Sequence, residues 1–320
     1  KTIEIEIGAS ITANSYDITV SGFGGAWINL GTFNAGTGKV IFNHGVSAEI
    51  VTIAGVTNFY DIEVGVNTSM QPVPGNILRI AGAGTADITS LVDFSAIENT
   101  VEWNGANQTI VNPTGIGGGT GYYNLILSGS GTKTMPGTAL GVNGDFTLSG
   151  TATATAASAF SVAGNLKIED GAIFASGAFN HIVGGNFDNS GTFTTTSGTI
   201  ITLSSSSAQS ILGTTATSFE KLTINNSAGV NIYTDVTVNN TLTLTSGNLN
   251  VGATTLTLNG DAIKTSGFIN VSTLSSLAFG GTTTFSPGVT LFPTPPNINN
   301  LTINRTGGVQ LCCDFTINGV

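Results

Sequence analysis

Asp170, His181 and Asp188 are the residues whose types could support acid–base chemistry. The two aspartates are 18 positions apart with the histidine between them, a spacing that could stack both carboxylates on one face of adjacent β coils. Stacked carboxylates beside an imidazole can bind a metal or abstract a proton, as a polysaccharide-cleaving β-helix requires. Three solvated corner residues are the plain alternative. A uronate substrate also needs cationic neighbours, and Arg79 and Arg305 are the only arginines, with no lysine cluster to help them. His44 follows "IFN" at an expected corner, and the internal repeat described below has Ser204 at the equivalent position. Cys312 and Cys313 are adjacent in "LCCDF", neither a disulfide framework nor a CxxC half-site. They read as two corner thiols, with a vicinal or intermolecular disulfide as the alternative.

Other motifs dissolve on inspection. "GTGKV" at 36–40 ends like a phosphate loop, but Val40 replaces the Ser or Thr and a strand pattern follows it. "GIGGGTG" at 115–121 has the wrong glycine spacing and no helix after it. "NGDF" and "NGDA" supply one aspartate each, short of the Gly-Gly-x-Gly-x-Asp nonapeptide of calcium-binding solenoids, and read as turns. No unbroken threonine array recurs at one spacing, as an ice-binding face would need. The Asn-x-Ser/Thr triplets at Asn225 and Asn300 are what chance gives in so Asn- and Thr-rich a chain. Trp27, Trp103, Tyr60 and Tyr123 could stack on sugars. Trp27, however, aligns with Phe187 in the repeat, which marks it as a core or corner filler. No residue is assigned a catalytic, cofactor-binding or metal-binding role, and the chain is expected not to be an enzyme.

The elements that would position such residues are written in the composition. Charged residues make up 8% of the 320 residues, against roughly 25% in an average soluble domain. The formal net charge is −10 with only eight Lys plus Arg, so the basic footprint of a nucleic-acid binder is missing and anionic membrane surfaces are disfavoured. No run of about 18 apolar residues occurs. With 40% hydrophobic residues the chain can fold. Lys1 opens without Met or signal peptide, which reads as a mature chain or an excised segment.

"GTFNAGTGKVIFN" at 31–43 returns as "GTFTTTSGTIITL" at 191–203, an offset of 160 residues. The echo extends through Phe59 and Phe219, Ile62 and Leu222, Val64 and Ile224. A shorter motif recurs four times, as "NFYDIEV", "GYYNLIL", "SFEKLTI" and "NINNLTI". Residues 236–258 alternate apolar side chains with Thr or Asn, the period of a strand buried on one face. Leu242, Leu249, Leu256 and Ile263 recur every seven residues, and the Thr, Gly and Asn between them argue against a coiled coil. Three short strands and three corners per turn give roughly 20–21 residues per coil, the arithmetic of a solenoid. The expected fold is therefore all-β: a right-handed parallel β-helix, three-sided, with a β-sandwich as its rival. Residues 1–160 form the first half of a continuous solenoid and residues 161–320 the second half, internally duplicated. About 15 coils at the strand spacing would make a rod on the order of 70 Å long. "KTIEIEIG" should place Ile3, Ile5 and Ile7 inward, and Val309, Leu311, Phe315 and Ile317 should do so near the other end. Neither end carries a polar cap, so the solenoid is expected to continue in a longer chain or onto another copy.

"GTFNAGTGKVIFN", "SFEKLTINNSAGVNIYTDVTVNNTLTLTSGNLN" and "NINNLTINRTGGV" resemble the repeats of large secreted β-helical surface proteins and adhesins of Bacteroidetes type. The resemblance is best over residues 24–66 and 184–320. It implies export, commonly by type IX secretion, and display at the cell surface or in an extracellular matrix; the usual C-terminal sorting domain is not visible. The family motif brings no catalytic residues. The expected function is a non-catalytic structural or adhesive β-solenoid: a stalk, a surface adhesin segment or a fibre-forming subunit. The alternative is a polysaccharide lyase or hydrolase on a β-helix scaffold. Expected partners are neighbouring coils or copies of the chain end to end, with extracellular glycans as a further class. No nucleic-acid partner, membrane insertion or cofactor is expected.

Overall fold

The structure, a computed structural model, describes residues 2–21, 26–43, 49–65, 68–82, 92–113, 121–282, 284–285, 290–311 and 313–319. Among these there are strands and no helix. Every strand pairing is parallel, so the all-β, parallel β-helix expectation holds. The chain divides into two compact units, Lys1–Phe160 and Ser161–Val320.

In the first unit the strands stack on three faces. Ile3–Ile5, Ala26–Asn29, Glu49–Ala54 and Thr68–Pro72 make the first face. Ser10–Thr12 and Thr32–Asn34 pair on the second, where Thr57–Phe59, Ile77–Ile80, Thr100–Trp103, Asn124–Leu127 and Phe146–Leu148 also stack in order. Ile18–Val20, Lys39–Phe42 and Asp61–Val64 lie on the third. Ile3 pairs with Trp27 and Trp27 with Ile53, coils of 24 and 26 residues; Leu125 pairs with Phe146, a coil of 21. Early coils are thus longer than the sequence period suggests, because their corners are wider. The chain makes about 13 coils, not 15.

In the second unit Leu166–Ile168, Phe187–Asn189, Gln209–Leu212, Val230–Ile232, Leu249–Val251 and Ile269–Asn270 stack as one face. Its other two faces begin as separate strands, for example Thr192–Thr194 and Ile200–Ser205. They are then joined by two long strands, Thr217–Asn226 and Val236–Ser246. Neither has a glycine at the bend. The turn is taken instead as a bulge, where the register slips between Phe219 and Lys221.

The recurring motif places one buried residue on each side of such a bend: Phe59 with Ile62, and Phe219 with Leu222. The 160-residue echo is a packing unit. Trp27 packs on Phe33 and Phe59 at centroid distances of 4.8 and 5.2 Å; Phe187 packs on Phe193 and Phe219 at 4.9 and 5.1 Å. Such pairs add about 0.5–1.5 kcal/mol each beyond simple burial. Asn29 Nδ2 donates to Thr57 Oγ1 at 3.4 Å, and Asn189 Nδ2 to Thr217 Oγ1 at 3.1 Å. Gly31 and Gly191 recur for a steric reason. A Cβ at Gly31 would run into the carbonyl oxygens of Glu6 and Ala9, and one at Gly191 into those of Glu169 and Ala172.

Three sequence expectations need correction. Leu242, Leu249 and Leu256 are buried, but Ile263 is exposed because Ala262, not Ile263, stacks on Leu242. Ile7 is exposed: the strand ends at Ile5, and Ala9 N donates to Glu6 O in a turn that Gly8 completes at φ +81°. Leu311 and Ile317 are exposed, since no coil stacks over them in this structure.

Candidate functional site

The candidate acid–base residues do not meet. His181 is on the strand Asn180–Val183 and points inward, fully buried. Its Nε2 lies 2.8 Å from Ser176 O and its ring packs edge-on to Phe179. Burial pushes its pKa below the usual histidine value, partly opposed by the Ser176 carbonyl. Asp188 points outward from the strand Phe187–Asn189, on a different face, beside Lys167 in the neighbouring coil. Asp170 is exposed at the corner that follows Leu166–Ile168. The period-2 alternation decides this, because a residue on one side of the wall cannot reach one on the other. No group of three or more His, Cys, Asp or Glu is placed to hold a metal among the described residues.

The remaining motifs resolve into structure. "GTGKV" turns a corner, with Gly36 at φ +60°, and enters the strand Lys39–Phe42, where Lys39 Nζ is 3.1 Å from Glu63 Oε2. Trp27 and Trp103 are fully buried and offer no face to a sugar. Tyr122 is buried too, its hydroxyl donating to Val111 O at 2.6 Å, and burial raises its pKa. Cys313 is a half-buried free thiol. Cys312, His44, residues 115–120 of the glycine-rich stretch and both terminal residues lie outside the described residues.

Sequence reasoning missed a buried lysine. Lys133 is the central residue of Thr132–Thr134 and points into the first unit, stacked between Gln108 and Ala154. Its Nζ donates to Gly105 O at 2.7 Å and to Gln108 Oε1 at 2.6 Å. Burial lowers its pKa to about 8, against the opposing pull of Glu102. The Gln108 amide in turn donates to Ile80 O and Gly82 O at 2.8 and 2.9 Å. The signal was available: "TKT" puts a lysine where alternation demands an apolar side chain, and the small Ala152, Ala154 and Ala156 that follow leave room for it. Arg305 is the counterpart in the second unit. Its guanidinium is buried and donates to Asn259 O, Gly260 O and Gly280 O at 3.2, 3.3 and 2.6 Å. In front of it lies an open recess of about 540 Å³ lined by Asn239, Asn240, Asn259, Gly260 and Asp261. Asn240 Nδ2 donates there to Glu220 Oε1 at 3.1 Å, and Asn259 Nδ2 to Asn239 Oδ1 at 3.0 Å. That lining can offer hydrogen bonds, but it pairs no general acid with a base.

Polar side chains elsewhere bridge coils. Asn270 donates to Asn250 and Asn250 to Asn231, at 2.8 and 3.0 Å. At the corners Asn124, Asn165, Asn186 and Asn248 each accept a backbone N–H from the following coil at 2.8–2.9 Å. Comparison with family models, with curated proteins and with solved structures returned no match.

Proposed function

We propose that this chain is a non-catalytic structural or adhesive β-solenoid that acts outside the cell, as a stalk, adhesin segment or fibre-forming subunit. What carries the reading is where the polar side chains go. Asn, Gln, Lys133 and Arg305 bond the next coil, while the candidate acid–base groups are separated by the wall of the solenoid. A spacer needs stacking contacts that resist unravelling, and those are the contacts present. Every Lys and Arg among the described residues also sits within a strand, from Lys39 in Lys39–Phe42 to Arg305 in Asn300–Arg305. Trypsin must draw an extended segment into its cleft, so each cut requires local unfolding first. The resemblance to secreted β-helical surface proteins supports the same reading, and with it secretion and end-to-end partners. The test is a trypsin time course in native buffer with negative-stain imaging of the surviving species over a concentration series. Survival of the intact chain for hours, with particles that lengthen end to end or stay single, is expected. Rapid fragmentation, or cleavage of a polysaccharide panel by the purified chain, would overturn the proposal.

A further inference from the structure

Five wall corners of the first unit carry an apolar stripe that the core does not use. Each lies between a first-face strand and the next second-face strand, at residues 6–9, 30–31, 55–56, 73–76 and 95–99. Backbone bonds stack them: Leu30 N donates to Ile5 O at 2.8 Å, Val73 N to Ile53 O at 2.8 Å and Gly75 N to Ile97 O at 3.1 Å. Each corner presents one aliphatic side chain to solvent. Relative exposures are 86% for Ile7, 54% for Leu30, 51% for Val56, 36% for Val73 and 66% for Ile97. The fold does not demand them. In the copied block of the second unit the residue at the Leu30 position is Ser190, and at the Val56 position Ala216.

We infer that this stripe is a lateral pairing surface for a second copy of the chain, an association distinct from end-to-end growth and independent of the function proposed above. Two observations select that occupant. The side chains recur once per coil, at the strand spacing of roughly 4.8 Å, and a second stripe of the same coil repeat is commensurate with all five. The exposed aliphatic area is on the order of 500 Å² per copy, so mutual burial reaches on the order of 1,000 Å², the lower bound of a specific interface. The stripe is flanked by the exposed carboxylates of Glu6 and Glu98 and by no exposed cation of its own corners, so like charges meet in either orientation. Salt therefore strengthens this association by screening them, the reverse of a charge-driven contact.

The experiment is sedimentation velocity on the full chain from about 1 to 200 μM, at low and high salt, beside the double variant Leu30→Ser, Val56→Ala. Both replacements come from the chain's own second copy, so the fold tolerates them, and circular dichroism confirms that it does. The wild-type chain is expected to form dimers that tighten with salt, and the variant to dimerise at least about tenfold more weakly. A wild-type chain that stays monomeric throughout, or a variant that dimerises equally well, would overturn the inference. So would a monomer that instead floats with neutral phosphatidylcholine vesicles in a Leu30-dependent way, since the stripe would then face lipid.

Discussion

Lys133 and His181 are ionisable side chains in positions that alternation reserves for apolar ones, and each gives stability a pH dependence. Lys133 has a folded pKa of about 8, below the unfolded lysine value. Between these values the unfolded chain holds a proton that the folded chain has released, so stability rises with pH across roughly 8 to 10.4. Lys133→Met removes that rise. Melting temperatures of the two proteins should therefore diverge in favour of the wild type as pH climbs through this window. A constant gap would mean that Lys133 keeps its proton inside the fold. His181 works at the other end of the scale. Its folded pKa is depressed by burial, so the unfolded chain takes up protons first as pH falls below about 6.5, and stability declines. His181→Gln should lose less stability than the wild type between pH 7 and pH 5 in urea titrations. The sequence showed both residues but not which side of the wall they occupy. A histidine within "FNHIVGG" has no strong alternation around it, whereas "TKT" does.

Strands and corners make different demands, and glycine substitutions separate them. Gly191→Ala forces a methyl against backbone oxygens of the preceding coil, which cannot swing aside as a side chain would. Overpacking of this kind costs about 1–3 kcal/mol. Gly8→Ala meets no atom within 4 Å and bears only the left-handed backbone penalty at φ +81°, about 1–2 kcal/mol. Urea unfolding should rank Gly191→Ala as the more damaging. Equal effects would mean that the coil-to-coil contact at Gly191 is looser than the structure has it. The same contrast explains what was legible beforehand. The pairing of "GTF" at 31 with "GTF" at 191 was visible because close backbone approach tolerates only glycine there, and the aromatic after it fills the same core slot. The bend at Glu220 was not visible as a corner, because a bulge does the work of a glycine turn without its signal. The heptad of leucines failed at Ile263 for a related reason: the coil shortens by one residue at "NGDA", and alternation then turns Ala262 inward and Ile263 out. The acid–base trio looked plausible in sequence because spacing along the chain reports the coil but says nothing about inside and outside.

At the scale of the whole molecule, each coil touches only its neighbours, so damage should stay local in a way that a globular core does not allow. Phe193 shows how. Its ring packs on Phe174, Phe187 and Phe219, in the adjoining strands of the second unit. Phe193→Ala removes that ring and leaves a cavity worth about 3–5 kcal/mol. In a single cooperative core the whole loss would appear at every amide. In a stack it lowers the opening free energy of the coils around 187–219 and fades with distance along the axis. Hydrogen exchange should therefore show Phe187–Asn189 and Thr217–Asn226 losing protection in Phe193→Ala. Ser276–Gly281, which pairs with Thr255–Leu258 and Asn300–Arg305 and not with any strand at the cavity, should keep its protection. Uniform loss across all these strands would mean that the long bent strands Thr217–Asn226 and Val236–Ser246 couple the second unit into one folding block. That outcome would also alter how the proposed stalk answers force, since a stack that opens coil by coil yields gradually and a single block yields at once.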